Sequence, residues 1–167
     1  MRLFFAVWPA AETARALAAW ARQARRTAGG RAAAEENIHL TLAFLGEADP
    51  EHAVAAAQRV RAPRFELPIE EARFWERNRI VWAGPREIPA ALALLASGLK
   101  IELEARGFAL EQRPFAAHIT LLRKANAPES LPGLPRIAWP VDEFLLVSSV
   151  LSEGRSRYRV EKRFALS

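Results

Sequence analysis

The chain has 167 residues and a mass of 18.6 kDa and is 51% hydrophobic and 26% charged, enough apolar sequence for a sizeable core, which excludes a disordered or collagen-like chain. With no cysteine, disulfides, thiol nucleophiles and cysteine-based zinc or iron–sulfur centres are excluded as well. Lys+Arg number 24 against 19 Asp+Glu, a net charge of +5 and a pI near 10.6, a modest excess that suits a polyanionic partner.

In chain order, residues 2–8 are bulky and weakly alternating and predict a strand. The segment Arg2–Trp8 is too short for the apolar core of a signal peptide, is interrupted by Pro9, and has no convincing cleavage site, so a buried first strand is expected. A helix follows from Pro9 to about residue 27, with Leu17, Trp20 and Ala24 on one stripe, broken by Gly29-Gly30. Ile38 to Leu45 predicts a strand closed by Gly46, and Asp49-Pro50-Glu51 caps a helix running to about Arg61. Residues 65–75 and 79–84 predict two strands joined at Arg77-Asn78. Pro89 opens a third helix with leucines at 92, 95, 99 and 103, stopped by Gly107. His118 to Leu122 predicts a strand, 126–140 a proline-rich loop, and 143–151 and 157–166 a final hairpin turning at Glu153-Gly154-Arg155.

This order, β-α-β-α-β-β-α-β-β-β with links too short for parallel crossovers, predicts an α+β fold with largely antiparallel sheets and flanking helices. The longest uncharged apolar stretch, Ile88 to Leu99, is about half of the roughly 20 residues that span a bilayer. A cytoplasmic monomer without membrane contact is the expectation.

An internal repeat carries the functional reading. Asn37-Ile38-His39-Leu40-Thr41-Leu42 is echoed by Ala116-Ala117-His118-Ile119-Thr120-Leu121, a single duplication that suggests two pseudo-symmetric lobes, one copy in each (Ile38–Leu42 and Ala117–Leu121), within one domain of residues 1–167. Alternation along a strand puts His39 and Thr41 on one face and Leu40 and Leu42 on the other, and likewise His118 and Thr120 against Ile119 and Leu121. With the aliphatic side committed to the core, two imidazoles and two hydroxyls face a common cleft. The third histidine, His52, lies in the first turn of a helix and reads as ordinary surface.

Two histidines lack the third protein ligand that a metal site usually takes, and no H-E-x-x-H, G-x-S-x-G, Walker A or G-x-G-x-x-G pattern is present. No metal and no cofactor are therefore expected. Paired imidazoles suit phosphodiester chemistry: a neutral one takes a proton from water while a protonated one donates to the leaving oxygen. The threonine hydroxyls can hold non-bridging phosphate oxygens.

On these residues the chain resembles the two-histidine (2H) phosphoesterases, and within them the bacterial and archaeal RNA 2′,3′-cyclic phosphodiesterases, also called 2′-5′ RNA ligases. The resemblance covers nearly the whole chain: Arg2-Leu-Phe-Phe-Ala6, Asn37 to Gly46, Arg79-Ile-Val-Trp-Ala-Gly84, Arg106-Gly-Phe108, Arg113-Pro-Phe115 and His118 to Arg123. It implies a bilobal α+β fold with both H-x-T motifs in a central cleft, and metal-free opening of a 2′,3′-cyclic phosphate to a 2′-phosphate. It further implies His118 as the base that activates water, His39 as the acid that protonates the 3′ oxygen, and Thr41 and Thr120 on the phosphate. Five residues after each histidine, Phe44 is implied to stack on the terminal base and Arg123 to bind phosphate. Strict alternation puts both on the wrong face, so they reach the cleft only if each strand ends or bulges first; otherwise Phe44 is core and Arg123 a solvated charge. Ala117 stands where the family often has proline, which bears on the rigidity of that loop.

Three other readings stay open. The same histidines could run the reaction backwards, as 2′-5′ ligation of RNA halves. The substrate could be a small cyclic nucleotide instead of an RNA end. Or the chain could be a non-catalytic RNA- or nucleotide-binding module, with which the basic pI and five tryptophans are compatible, although most of those tryptophans fall in predicted elements and read as core.

Overall fold

The computed structural model describes all 167 residues. Ten strands and three helices follow in the order β1 (Arg2–Val7), α1 (Ala11–Ala28), β2 (Arg31–Ala32), β3 (Leu40–Glu47), α2 (Pro50–Ala57), β4 (Phe65–Ile69), β5 (Glu71–Trp75), β6 (Ile80–Gly84), α3 (Ala90–Ala105), β7 (Ile119–Arg123), β8 (Ile137–Val141), β9 (Glu143–Ser152) and β10 (Arg155–Ala165), with a single 3-10 turn at Glu35–Asn37. Every strand pairing is antiparallel. One four-stranded sheet has the order β10-β9-β1-β3, a second β2-β7-β6-β5, and β4 and β8 form a separate ribbon. The α+β architecture with two antiparallel sheets is the one read from the sequence.

Several details differ from that reading, among them the two-residue strand β2 (Arg31–Ala32), which lies where no strand is predicted. Residues 65–75 are two strands in different sheets, because the chain leaves the ribbon at Glu70. The proline-rich segment contains β8, whose Ile137, Trp139 and Val141 alternate buried with exposed Ala138 and Pro140. Pro140 is tolerated there because β8 has a neighbour on one side only, so the missing N–H breaks no second ladder. Helix α2 ends at Ala57, four residues before Arg61; its start is as expected, with Pro50 at the first position and Asp49 Oδ1 accepting the Glu51 N–H at 2.9 Å.

Each sheet draws strands from both halves of the chain, and each carries one H-x-T-L copy: β3 in the first sheet, β7 in the second. The inward faces of both sheets share one core with the helices, in which Phe5, Leu17, Leu40, Leu95, Leu99, Ile119 and Leu121 are fully buried. The leucines of α3 and the alanine-rich stripe of α1 lie against it as their spacing requires. The opposite face of the first sheet is different. There Phe4, Ala6, Leu145 and Val147 form a small cluster of their own, flanked by Trp8 and Tyr158, and this face becomes the floor of the site. No helix is long and apolar enough to cross a membrane.

Candidate active site

The repeated strands start later than the sequence suggests, β3 at Leu40 instead of Ile38 and β7 at Ile119 instead of His118, so each histidine is the residue immediately before its strand. Both rings are fixed in the same way. His39 Nδ1 donates to the Asn37 carbonyl at 2.7 Å and His118 Nδ1 to the Ala116 carbonyl at 2.9 Å. A carbonyl only accepts, so Nδ1 carries the ring proton and Nε2 is the end offered outward. His39 Nε2 lies 3.1 Å from Thr41 Oγ1, whose hydroxyl donates to it while the ring is neutral.

His39, Thr41, His118 and Thr120 line one cleft of about 980 Å³. Four arginines line it too, Arg2, Arg31, Arg123 and Arg155, and no Asp or Glu. Its electrostatics favour an anion, and its walls offer no carboxylate to a divalent cation. Nowhere in the molecule do three or more His, Cys, Asp or Glu side chains cluster closely enough to hold a metal ion.

Phe44 and Arg123 reach the same cleft because each strand holds one extra residue at the equivalent place. Opposite β1, Thr41 pairs with Ala6 and Ala43 with Phe5, so Leu42 has no partner; opposite β6, Thr120 pairs with Trp82 and Leu122 with Val81, so Leu121 has none. Each extra residue falls three positions after its histidine. It sends two consecutive apolar side chains into the core, Leu42 with Ala43 and Leu121 with Leu122, and reverses the alternation beyond. Phe44 then pairs with Phe4 on the cleft face, 66% exposed with its ring centroid 6.0 Å from that of Phe4. Core packing is thereby ruled out for Phe44.

Aromatic rings surround the histidines. Trp8 stacks flat on His39, centroids 4.5 Å apart at 13°, with Phe4 and Tyr158 at 5.2 and 5.3 Å. Trp75 and Trp82 stand against His118 at 4.7 and 6.4 Å. The sequence reading assigned most of the five tryptophans to the core. Trp20, Trp82 and Trp139 are indeed buried, but Trp8 and Trp75 are half-buried and face the site. Trp8 and Tyr158 approach His39 from β1 and β10, at far ends of the chain, so only the sheet order brings them together. The signal for Trp8 was its place at the exit of the first strand; for Tyr158 there was none beyond its being the sole tyrosine. The Trp82 indole N–H is buried beside His118 with no hydrogen-bond partner within the protein.

This packing sets the protonation states. Burial lowers the His39 pKa to about 4, the Asn37 carbonyl opposes the shift, and the charges of Arg123 and His118 add to it. His118 is also lowered, first by burial and then by Arg123, against its bond to Ala116. Both rings are therefore neutral at pH 7.

Comparison with known proteins agrees with this geometry. The family model described as LigT like Phosphoesterase matches the chain twice, over residues 7–82 and 83–158. The chain belongs to this family. As a LigT-like phosphoesterase it is 41% identical to the RNA 2′,3′-cyclic phosphodiesterase of Escherichia coli (strain K12), over 99% of this chain and 97% of that one. It is 34% identical to the protein of the same name from Thermus thermophilus, over 99% and 90% of the two chains. Among solved structures, E. coli LigT complexed with 3′-AMP superimposes with a TM-score of 0.92 at 39% identity, over 99% and 98% of the chains, and E. coli LigT complexed with phosphate with 0.87 at 36%, over 99% and 97%.

Proposed function

We propose that this LigT-like phosphoesterase hydrolyses RNA 2′,3′-cyclic phosphate ends to 2′-phosphates, by acid–base catalysis between His39 and His118 across a cleft shared by two pseudo-symmetric lobes. The observation that carries the reading is the matched pair of imidazoles: each has Nδ1 tied to a carbonyl two residues back, which leaves Nε2 for the cleft. The names of its E. coli and T. thermophilus relatives support the substrate class.

In this mechanism the neutral His118 Nε2 takes a proton as a water oxygen attacks phosphorus. His39 Nε2 delivers a proton to the 3′ oxygen as the P–O3′ bond breaks. One water is consumed, and the rings exchange protons with solvent before the next turnover. Thr41, Thr120 and Arg123 hold the non-bridging oxygens, and the exposed Phe44 ring supports the terminal base. His39 must be protonated to act as the acid, and its burial resists this. A bound phosphodiester places negative charge next to the ring and opposes the effect of Arg123, so substrate itself raises the His39 pKa.

The test is turnover in EDTA of a short RNA ending in a 2′,3′-cyclic phosphate, with the product assigned by phosphorus NMR. A 2′-phosphate is expected, and His39→Ala and His118→Ala should each lower the rate by roughly 10²- to 10⁴-fold. Turnover that survives both substitutions, or binding without turnover by the wild type, overturns the reading.

A further inference from the structure

In the second sheet Arg31 on β2 is the direct cross-strand partner of Arg123 on β7. Directly opposed residues of an antiparallel pair share one face, and both side chains line the cleft. Like charges placed opposite each other destabilise a sheet, and nothing in the molecule relieves this pair. Neither guanidinium belongs to any of its ion pairs, and β2 is only two residues long.

The backbone is nevertheless built to hold them together. Gly29 and Gly30 have φ of 67° and 81°, and a Cβ on Gly30 would sit 2.4 Å from the Arg123 carbonyl oxygen. Only glycine lets the chain come this close to the end of β7. The Gly30 carbonyl is pinned in turn by Arg25 Nε at 2.7 Å. Two unpaired arginines held side by side over a cleft without carboxylates call for anionic charge beyond what one guanidinium can take.

The two arginines do not serve the same anion. Arg123 ends β7, the strand that carries Thr120 and directly follows His118, whereas Arg31 lies on β2, the edge strand of that sheet. Arg123 therefore belongs to the reacting phosphate, and Arg31 stands one strand further out.

We propose that Arg31 binds the phosphodiester immediately 5′ of the terminal nucleotide, so that the preferred substrate is the end of an RNA chain and not a free 2′,3′-cyclic mononucleotide. This rests on the activity proposed above and names its substrate class more closely. A cyclic mononucleotide with a 5′-hydroxyl has nothing to offer Arg31; a dinucleotide supplies the missing charge.

The experiment compares kcat/KM for a dinucleotide ending in a 2′,3′-cyclic phosphate with that for the 2′,3′-cyclic mononucleotide, in wild type, Arg31→Ala and Arg31→Lys. The wild type should favour the dinucleotide. Arg31→Ala should lose about 10-fold or more on the dinucleotide, mainly through KM, as expected for one charge-assisted hydrogen bond, while the mononucleotide changes less than about two-fold. Arg31→Lys should recover part of the loss, and the salt dependence of the dinucleotide reaction should weaken in Arg31→Ala. An equal loss on both substrates, or no loss on either, overturns the proposal. If the wild type turns over neither, it is the proposed activity that fails. The same comparison is then made by equilibrium binding of a dinucleotide 2′-phosphate and a nucleoside 2′-phosphate, where an Arg31→Ala loss confined to the dinucleotide supports the assignment and any other pattern overturns it.

Discussion

Trp8 lies flat on His39, 4.5 Å between ring centroids, and its indole Nε1 donates to the Glu36 carbonyl at 3.0 Å. The tryptophan thus fixes the ring plane of the imidazole, strips water from one side of it, and anchors the turn that precedes it. Removing that ring should raise the His39 pKa from about 4 toward 6.5, because burial is the largest cause of the shift. Trp8→Ala is expected to move it up by on the order of one unit and, by loosening ring position, to lower kcat about 10- to 100-fold. Trp8→Phe, which keeps an aromatic stack, should restore most of both. NMR titration of the His39 ring in the three proteins decides this: an unchanged pKa in Trp8→Ala would assign the desolvation to Phe4 and Tyr158.

The same pKa makes stability depend on pH. His39 binds its proton at about 4 when folded and near 6.5 when unfolded, so between these values the unfolded chain carries more protons. Stability therefore rises with pH through this window, is complete above 6.5, and is lost as pH falls toward 4. His118, shifted the same way, adds to the trend. Between pH 7 and 4.5 the His39 share is roughly 2 kcal/mol. Urea unfolding of His39→Gln should show a pH dependence flatter by about that amount; curves parallel to the wild type would mean that the ring is hydrated in the folded protein.

How far the site could be read from the sequence follows from which geometry each residue depends on. The two histidines and threonines needed only period-two alternation and a repeat, and both are written in the chain. Phe44 and Arg123 needed a bulge. Its only trace is the pair of consecutive apolar residues after each threonine, Leu42-Ala43 and Leu121-Leu122, which alternation alone reads as a mistake. The aromatic ring of residues around His39 was not legible, because Trp8 and Tyr158 meet through the order β10-β9-β1-β3. In the fold, β8 was hidden by Pro140 and by the proline-rich run before it, and β2 by having two residues. Yet β2 places Arg31, so the shortest strand is among those that shape the cleft.

Phe44 gives a separable prediction, since its ring is 66% exposed and its aromatic neighbour on the cleft face is Phe4. Phe44→Ala should leave thermal stability within about 0.5 kcal/mol of the wild type. If the ring supports the terminal base, KM should rise about 10-fold, within the 1–3 kcal/mol that stacking on one base is worth, with kcat little changed. Phe44→Trp should keep the affinity. Steady-state kinetics alongside a thermal melt separates the cases: a melting point lowered by several degrees would mean that Phe44 stabilises the sheet.

Gly30 and Gly154 have similar positive φ, 81° and 75°, but different surroundings. A Cβ on Gly154, at the tip of the β9–β10 hairpin, meets nothing within 4 Å, whereas on Gly30 it meets the Arg123 oxygen at 2.4 Å and the backbone of Lys124 and Ala125 at 3.0 Å. Gly154→Ala therefore bears only the left-handed backbone cost of about 1–2 kcal/mol. Gly30→Ala bears that cost and must also push β2 away from β7, since the obstructing atoms are backbone and cannot rotate aside. A total of about 3 kcal/mol or more is expected. The displacement falls on the strand that carries Arg31 and on the end of β7 that carries Arg123, so Gly30→Ala should also lower kcat/KM while Gly154→Ala leaves it unchanged. Urea unfolding and turnover measured on both variants check the contrast; equal destabilisation by the two substitutions would show that the close approach of β2 to β7 is not what glycine is needed for.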